Sequence, residues 1–415
     1  MFDLYFGQAT LPLLERGPLA HYLNGFCGWL RDQGYARVTI RRYVSQASHL
    51  SGYLESRRIP VRRSLRSDAK AFVREHLPVC RCDLVGLRHD KAYCSLERLL
   101  EYLAQRGMEL EPKPPRSFDP PLAGGYLDDL RDCRGLCAGT IRLRRWNLRK
   151  FLDWLGSDAA PERLHLLTAS RVEDFCLSFG RDRGRSQRHA MQGTLRTFLA
   201  YCLKQGLISR DLAGAVPVLR TYSLAAVPRA ISDSDARRVL SGIDTSRPEG
   251  LRDRAIFQLL FSYGVRGAQV RALRLGHILW ERSRIRFPPA KDGRGLELPL
   301  TEAAGGCLLD YLSEGRPPSP RPEVFLGARA PYGPVRRATF TRIVALRMRA
   351  AGIEAPLRAH AFRHGFASRM LRQGQSLKAI ADLLGHRALQ TTFIYTKVDF
   401  RALREVALPW PEASS

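Results

Sequence analysis

The sequence predicts a multi-domain, mainly α protein: two helical domains, then an α+β domain with a small antiparallel sheet. Three observations predict this. Apolar residues recur at helical spacing through most of the chain. A pattern near residue 40 returns about a hundred residues later. A strand-like alternation appears only in the last third, on either side of a Lys291-Asp292-Gly293-Arg294-Gly295 turn. The length, 415 residues, fits two to four domains at roughly 100–200 residues each. Apolar residues at 45% and charged residues at 26% are ordinary for a chain that buries a core.

The elements follow in order. Thr39-Ile40-Arg41-Arg42-Tyr43 precedes Leu50, Tyr53 and Leu54, and Thr140-Ile141-Arg142 precedes Phe151, Trp154 and Leu155 at the same offsets. Each Thr is read as the N-cap of an amphipathic helix. Leu96, Leu100, Tyr102 and Gly107 match Leu195, Leu199, Tyr201 and Gly206, with each Gly a helix stop. These pairs suggest tandem copies of one small helical unit. Glu111-Pro112-Lys113-Pro114-Pro115, continuing to Pro120-Pro121, reads as a stiff linker. A second boundary lies between Val216 and Pro228. The expected layout is helical 1–112, linker 113–121, helical 122–218, linker 219–230 and the α+β domain 231–415. Within that last domain Ser232 to Asp235 opens a helix, and Leu251 to Leu273 is expected to be helical. Arg284 to Leu300 is expected to be a hairpin. Thr339 to Ala351, Ala361 to Gln373, Leu377 to Leu384 (stopped at Gly385) and Thr391 to Val398 are expected to be helical.

Charge narrows the partner. Lys+Arg number 67 against 40 Asp+Glu, a formal +27. Such self-repulsion is best tolerated beside a polyanion, and nucleic acid is the first candidate. Only eight of the 67 basic residues are Lys, so each Lys stands out. The first sixteen residues lack a basic, apolar leader pattern. No apolar run approaches the ~20 residues a membrane span needs. A cytoplasmic, nucleoid-associated location is therefore expected, with no membrane partner and reduced thiols. Nine cysteines are irregularly spaced. Cys80, Cys82, His89 and Cys94 lie close in sequence, but Cys-x-Cys is not the usual two-residue zinc knuckle. They are read as scattered small core residues rather than a metal site.

Six positions carry chemistry: Arg266, Lys291, His360, Arg363, His386 and Tyr395. Taken singly, each has a structural reading, such as a surface arginine, a helix-capping histidine or a core tyrosine. Order and spacing together favour a catalytic set. His360-Ala361-Phe362-Arg363-His364 resembles the H-x-x-R box of the tyrosine recombinases, the phage-integrase family. Leu384-Gly385-His386 and Gln390-Thr391-Thr392-Phe393-Ile394-Tyr395 resemble its closing motif, with 23 residues from Arg363 to His386 and nine from His386 to Tyr395. Tyr263-Gly264-Val265-Arg266 resembles its first arginine box. The resemblance covers residues 231–400 and, more loosely, the helical units before them. One departure is Gln269, three residues after that arginine, where many relatives carry an acid.

The resemblance implies DNA strand cleavage and rejoining through a 3′-phosphotyrosyl intermediate on Tyr395. Covalent attachment conserves the bond energy. Arg266 and Arg363, permanently protonated and bidentate, would neutralise the non-bridging oxygens in the transition state. His386 would donate a further hydrogen bond to a phosphate oxygen. His360 would help accept the tyrosine proton, since imidazole titrates near neutral pH. Lys291 would protonate the leaving 5′-oxygen, because an amine can be tuned downward and a guanidinium cannot. This set calls for no metal and no cofactor. By the resemblance the helical units become SAM-like, core-binding-type domains on double-stranded DNA, and their Arg41, Arg42, Arg142, Arg144, Arg145 and Arg149 suit phosphate contacts. A homo- or hetero-tetramer on two DNA sites is implied, the hetero-tetramer being one completed by partner recombinases. The long N-terminal half suggests a mobile-element enzyme of integration or transposition. A type IB topoisomerase and an accessory protein with a decayed pocket remain open alternatives.

Overall fold

The computed structural model describes residues 1–61, 64–80, 82, 92–112, 121–220, 229–289, 295–354, 358–385, 392 and 393. The chain divides into two compact units: Lys113–Ala225 forms one, and Met1–Pro112 with Ala226–Ser415 forms the other.

Residues 1–112 are helical. α1 (Ala20–Asp32), α2 (Arg37–Ser56), α3 (Leu65–Ala71) and α4 (Ala92–Gln105) surround a core that includes Leu23, Phe26, Leu50, Phe72 and Leu99. α2 shows why it is a helix: Ile40, Val44, Ala47 and Leu54 are spaced to lie on one face, and all are buried. A single π-turn, Phe72–His76, follows α3 directly.

In the other unit, α5 (Pro121–Asp128), α6 (Ala138–Leu155), α7 (Ala169–Gly180) and α8 (Arg185–Lys204) enclose a core that includes Tyr126, Phe151, Phe175 and Phe198. Pro121 corrects the linker reading. It opens α5, where a proline costs nothing because the first helical N–H has no intrahelical partner.

The two helical groups share internal detail beyond the expected pairs. Gly107 and Gly206 each stand two residues past a helix with positive φ, as a C-terminal stop requires. Tyr102 lies 5.6 Å from Phe26, and Tyr201 lies 5.7 Å from Tyr126. The hydroxyl of Tyr102 lies over Gly25 and that of Tyr201 over Gly125, positions where a Cβ would collide. One expectation fails at both sites in the same way. The N-caps are Ala36 and Cys137, not Thr39 and Thr140. Each helix begins two residues before its Thr, whose own N–H already bonds back to the cap carbonyl at 2.8 and 2.9 Å.

Residues 229–385 hold the sheet. α9 (Asp233–Ser241) opens as expected, Ser232 Oγ accepting from the Asp235 N–H at 3.0 Å. The expected helix from Leu251 to Leu273 is two helices: α10 (Pro248–Tyr263) and α11 (Gly267–Arg271). β1 (Ile278–Leu279), β2 (Arg284–Phe287) and β3 (Leu296–Pro299) form an antiparallel sheet in the order β1-β2-β3. Register pairs Arg286 with Glu297 and Phe287 with Leu296. Ile285 and Phe287 face the core, while Arg284 and Arg286 grip Glu297 on the other side at 2.9 and 3.0 Å. The remaining helices are α12 (Glu302–Asp310), α13 (Arg337–Ala350), α14 (His360–Arg372) and α15 (Leu377–Leu384). α15 is capped by Ser376 and stopped at Gly385, φ 64°. Of the helix expected over Thr391 to Val398, only Thr392 and Phe393 are described.

The cysteine reading is also corrected. Cys82 and Cys94 are exposed and Cys80 half-buried, so these three are not core residues. Cys80 and Cys82 lie instead beside His49 and His76; His89 lies outside the described residues.

Candidate active site

Arg266 is placed by a break in the chain. Helix α10 ends at Gly264, which adopts a left-handed conformation with φ 59°. A Cβ there would stand 2.8 Å from the Phe366 side chain of α14, so glycine serves both the turn and the close approach. The chain restarts as α11 with the half-buried Arg266 at its N-cap. Gln269, 1% exposed, then locks the turn. Its side-chain oxygen accepts from the Arg266 N–H at 3.1 Å, and its amide nitrogen donates to the Pro288 carbonyl at 3.1 Å. Pro288 directly follows β2, so one buried amide ties the Arg266 turn to the strand that leads toward Lys291.

Arg363 sits one helical turn after His360 on α14, which puts both on one face. It is 2% exposed. Its guanidinium donates to the Gly264 carbonyl at 3.0 Å and to the Leu384 carbonyl at 2.8 Å. The first of these residues stands two before Arg266 and the second two before His386. A buried guanidinium thus joins the ends of α10 and α15, where terminal carbonyls lack partners within their own helices. The end of α15 is set further by Gly385, where an added Cβ would lie 3.4 Å from the Leu296 side chain at the start of β3. Tyr263 completes the frame: its hydroxyl donates to the Pro299 carbonyl at 2.9 Å and accepts from the Thr301 N–H at 3.0 Å.

His360 opens α14 and is exposed. Its ring lies edge-on to that of His364, centroids 5.5 Å apart. Burial pushes His364 down to about 4 from its ordinary 6.5, and the charges of His360 and Arg363 add to the effect. At neutral pH His364 is therefore an uncharged imidazole beside Arg363.

Of the six expected site residues, Arg266, His360 and Arg363 are described and share this frame. Lys291, His386 and Tyr395 lie outside the described residues. Sequence reasoning missed the framework itself. The partners of Arg363 are backbone carbonyls, which no residue pattern marks, and the two bonds of Gln269 need the fold to show what they join.

The six expected Arg contacts lie on two helices. Arg41 and Arg42 stand on α2, with Arg42 over the Tyr43 ring at 5.4 Å. Arg142, Arg144, Arg145 and Arg149 stand on α6. Arg41, Arg142 and Arg149 are exposed and the others half-buried.

Known proteins share this architecture. The model of the phage integrase family matches residues 229–402, which span all six site positions. The inferred integrase/recombinase y4rA of Sinorhizobium fredii is 36% identical over 412 residues, covering 98% of each chain. Among solved structures, the XerH site-specific recombinase bound to its palindromic difH substrate matches with a TM-score of 0.55 at 19% identity. The match covers 70% of this chain and 85% of that one. A lambda integrase tetramer bound to a Holliday junction matches with a TM-score of 0.52 at 15% identity, covering 73% and 89%. The two structural matches agree in fold, and the y4rA likeness runs the length of the chain. This chain belongs to the phage integrase family, the tyrosine recombinases, and is an enzyme that cleaves and rejoins DNA.

Proposed function

We propose that the chain is a site-specific recombinase of a mobile element, acting in integration or transposition through a 3′-phosphotyrosyl intermediate. Tyr395 attacks the scissile phosphorus and the 5′-oxygen leaves. Arg266, Arg363 and His386 take up charge on the non-bridging oxygens, which preorganised donors do best. His360 helps accept the tyrosine proton and Lys291 protonates the leaving oxygen. Residues 231–415 form the catalytic domain. Residues 1–112 and 122–218 are two core-binding-type domains that grip the duplex, Arg41, Arg42, Arg142, Arg144, Arg145 and Arg149 meeting its phosphates. Four protomers act on two DNA sites. The tetrameric lambda integrase on a Holliday junction supports that assembly, and the formal +27 supports binding in the nucleoid.

One observation carries the reading. Buried Arg363 is anchored to the Gly264 and Leu384 carbonyls, so the box containing His360 fixes the chain two residues from Arg266 and two from His386. A decayed pocket would not need a buried cation held between those two turns, given what burying one costs.

Two differently labelled duplexes carrying the element's terminal sequences test it. The enzyme, without added metal, is expected to yield strands bearing both labels. Relaxation of supercoiled plasmid with no exchange would contradict the recombinase reading and favour a topoisomerase.

A further inference from the structure

The N-terminal helical group holds a cluster that plays no part in strand cleavage. His49 Nε2 lies 3.1 Å from His76 Nε2, Cys80 Sγ lies 3.3 Å from His49 Nε2, and Cys82 Sγ lies 3.6 Å from His76 Nε2. All four ligand atoms fall within 4.8 Å of one another. We propose that His49, His76, Cys80 and Cys82 bind one structural zinc ion.

The geometry argues for a metal over a chance meeting. With Zn–N of about 2.05 Å and Zn–S of about 2.3 Å, a tetrahedron has N–N edges of roughly 3.3 Å, N–S edges of roughly 3.6 Å and S–S edges of roughly 3.8 Å. The three observed separations follow that order and lie within about 0.3 Å of those edges. Two thiolates with two imidazoles form a tetrahedral S2N2 donor set, which suits zinc. The donors also come from elements that fix them. His49 projects from the middle of α2 and is 4% exposed, against Phe72 with ring centroids 5.0 Å apart. His76 ends the π-turn Phe72–His76, and its ring is held between Phe72 and Tyr53, centroids 5.3 and 5.0 Å away. Such turns insert one residue into a helix, rotate the chain beyond them, and occur often at functional sites. The Cys82 N–H donates to Cys80 Sγ at 3.3 Å, the kind of contact that stabilises a thiolate and orients a ligand.

Zinc here would clip the segment after the π-turn onto α2 and add binding free energy to folding. It would do so in residues 1–112, apart from the strand-cleavage chemistry.

The untagged full-length chain, purified under reducing conditions and dialysed against metal-free buffer, should retain about one zinc per chain by elemental analysis. Replacement with cobalt(II) should give the visible bands of a tetrahedral site and a near-ultraviolet thiolate band. Cys82 is exposed, so Cys82→Ser should leave circular dichroism intact while weakening the metal. Cys80→Ser/Cys82→Ser should abolish both zinc and the thiolate band, and Cys94→Ser should keep them. Far less than one zinc in a folded wild type, with no cobalt thiolate band on reconstitution, would overturn the proposal. So would unchanged zinc in the double variant, or a Cys80–Cys82 disulfide in the protein as purified.

Discussion

Gln269 shows how much one side chain can organise. It is buried, accepts one hydrogen bond from the Arg266 backbone and donates another to Pro288. An ionised carboxylate could make the first bond but not the second, since it has no proton to donate. Here the neutral amide serves as both acceptor and donor. Gln269→Leu keeps the bulk and strands two polar groups, each worth about 1–3 kcal/mol. Cleavage by that variant is expected to fall by tenfold or more, with DNA affinity within about twofold of wild type and Gln269→Glu recovering part of the rate. A Leu variant that cleaves at the wild-type rate would show that Gln269 does not position Arg266. At this scale the sequence was informative where residues act through local spacing. His360 and Arg363 were legible because residues three apart on a helix share a face. The carbonyls that hold Arg363 were not, because backbone groups leave no mark in a sequence.

Helix ends place the site more than helix faces do. The run from Leu251 to Leu273 reads as one periodic stretch, yet the left-handed Gly264 ends the first helix, at a point where the close approach of Phe366 leaves no room for a side chain. That break gives Arg266 its position. Gly264→Ala combines a positive φ with a Cβ 2.8 Å from its neighbour, a strain on the order of 1–3 kcal/mol. Its melting temperature is expected to drop by several degrees, with a loss of cleavage larger than the loss of DNA binding. An unchanged melting temperature and rate would mean the turn tolerates a side chain. Other elements were legible for a plain reason: Ser232 sits where a helix needs a cap, and Gly385 where one must stop. β1 was missed because two residues, Ile278 and Leu279, carry no alternation to detect. The His49, His76, Cys80 and Cys82 cluster was half-seen. Cys80 and Cys82 stood out in a local window, but His49 comes from a helix earlier in the chain and only packing brings it there.

For the whole molecule, a basic surface serves a polyanionic partner. Among the described residues most ion pairs are exposed, as Arg31–Asp32 and Arg131–Asp128 show, and such pairs add little to stability. Buried charge is concentrated where it organises the α+β domain. Arg252 and Arg347 both grip Asp253, at 2.7 and 2.8 Å, and Arg363 spans two helix ends. Equal offsets in the two helical stretches marked core positions, and Leu50, Leu54, Phe151 and Leu155 are buried as those offsets imply. Which of their surfaces face a partner is something that a one-dimensional pattern does not mark. In the mechanism we propose, the Tyr395 phenol attacks the phosphate held by Arg266 and Arg363. Peptide mapping of the covalent adduct on a nicked suicide duplex tests it most directly. A single peptide carrying a 3′-phosphate linked to Tyr395, absent from Tyr395→Phe, is the expected result. An adduct on another residue, or an undiminished adduct in Tyr395→Phe, would contradict it.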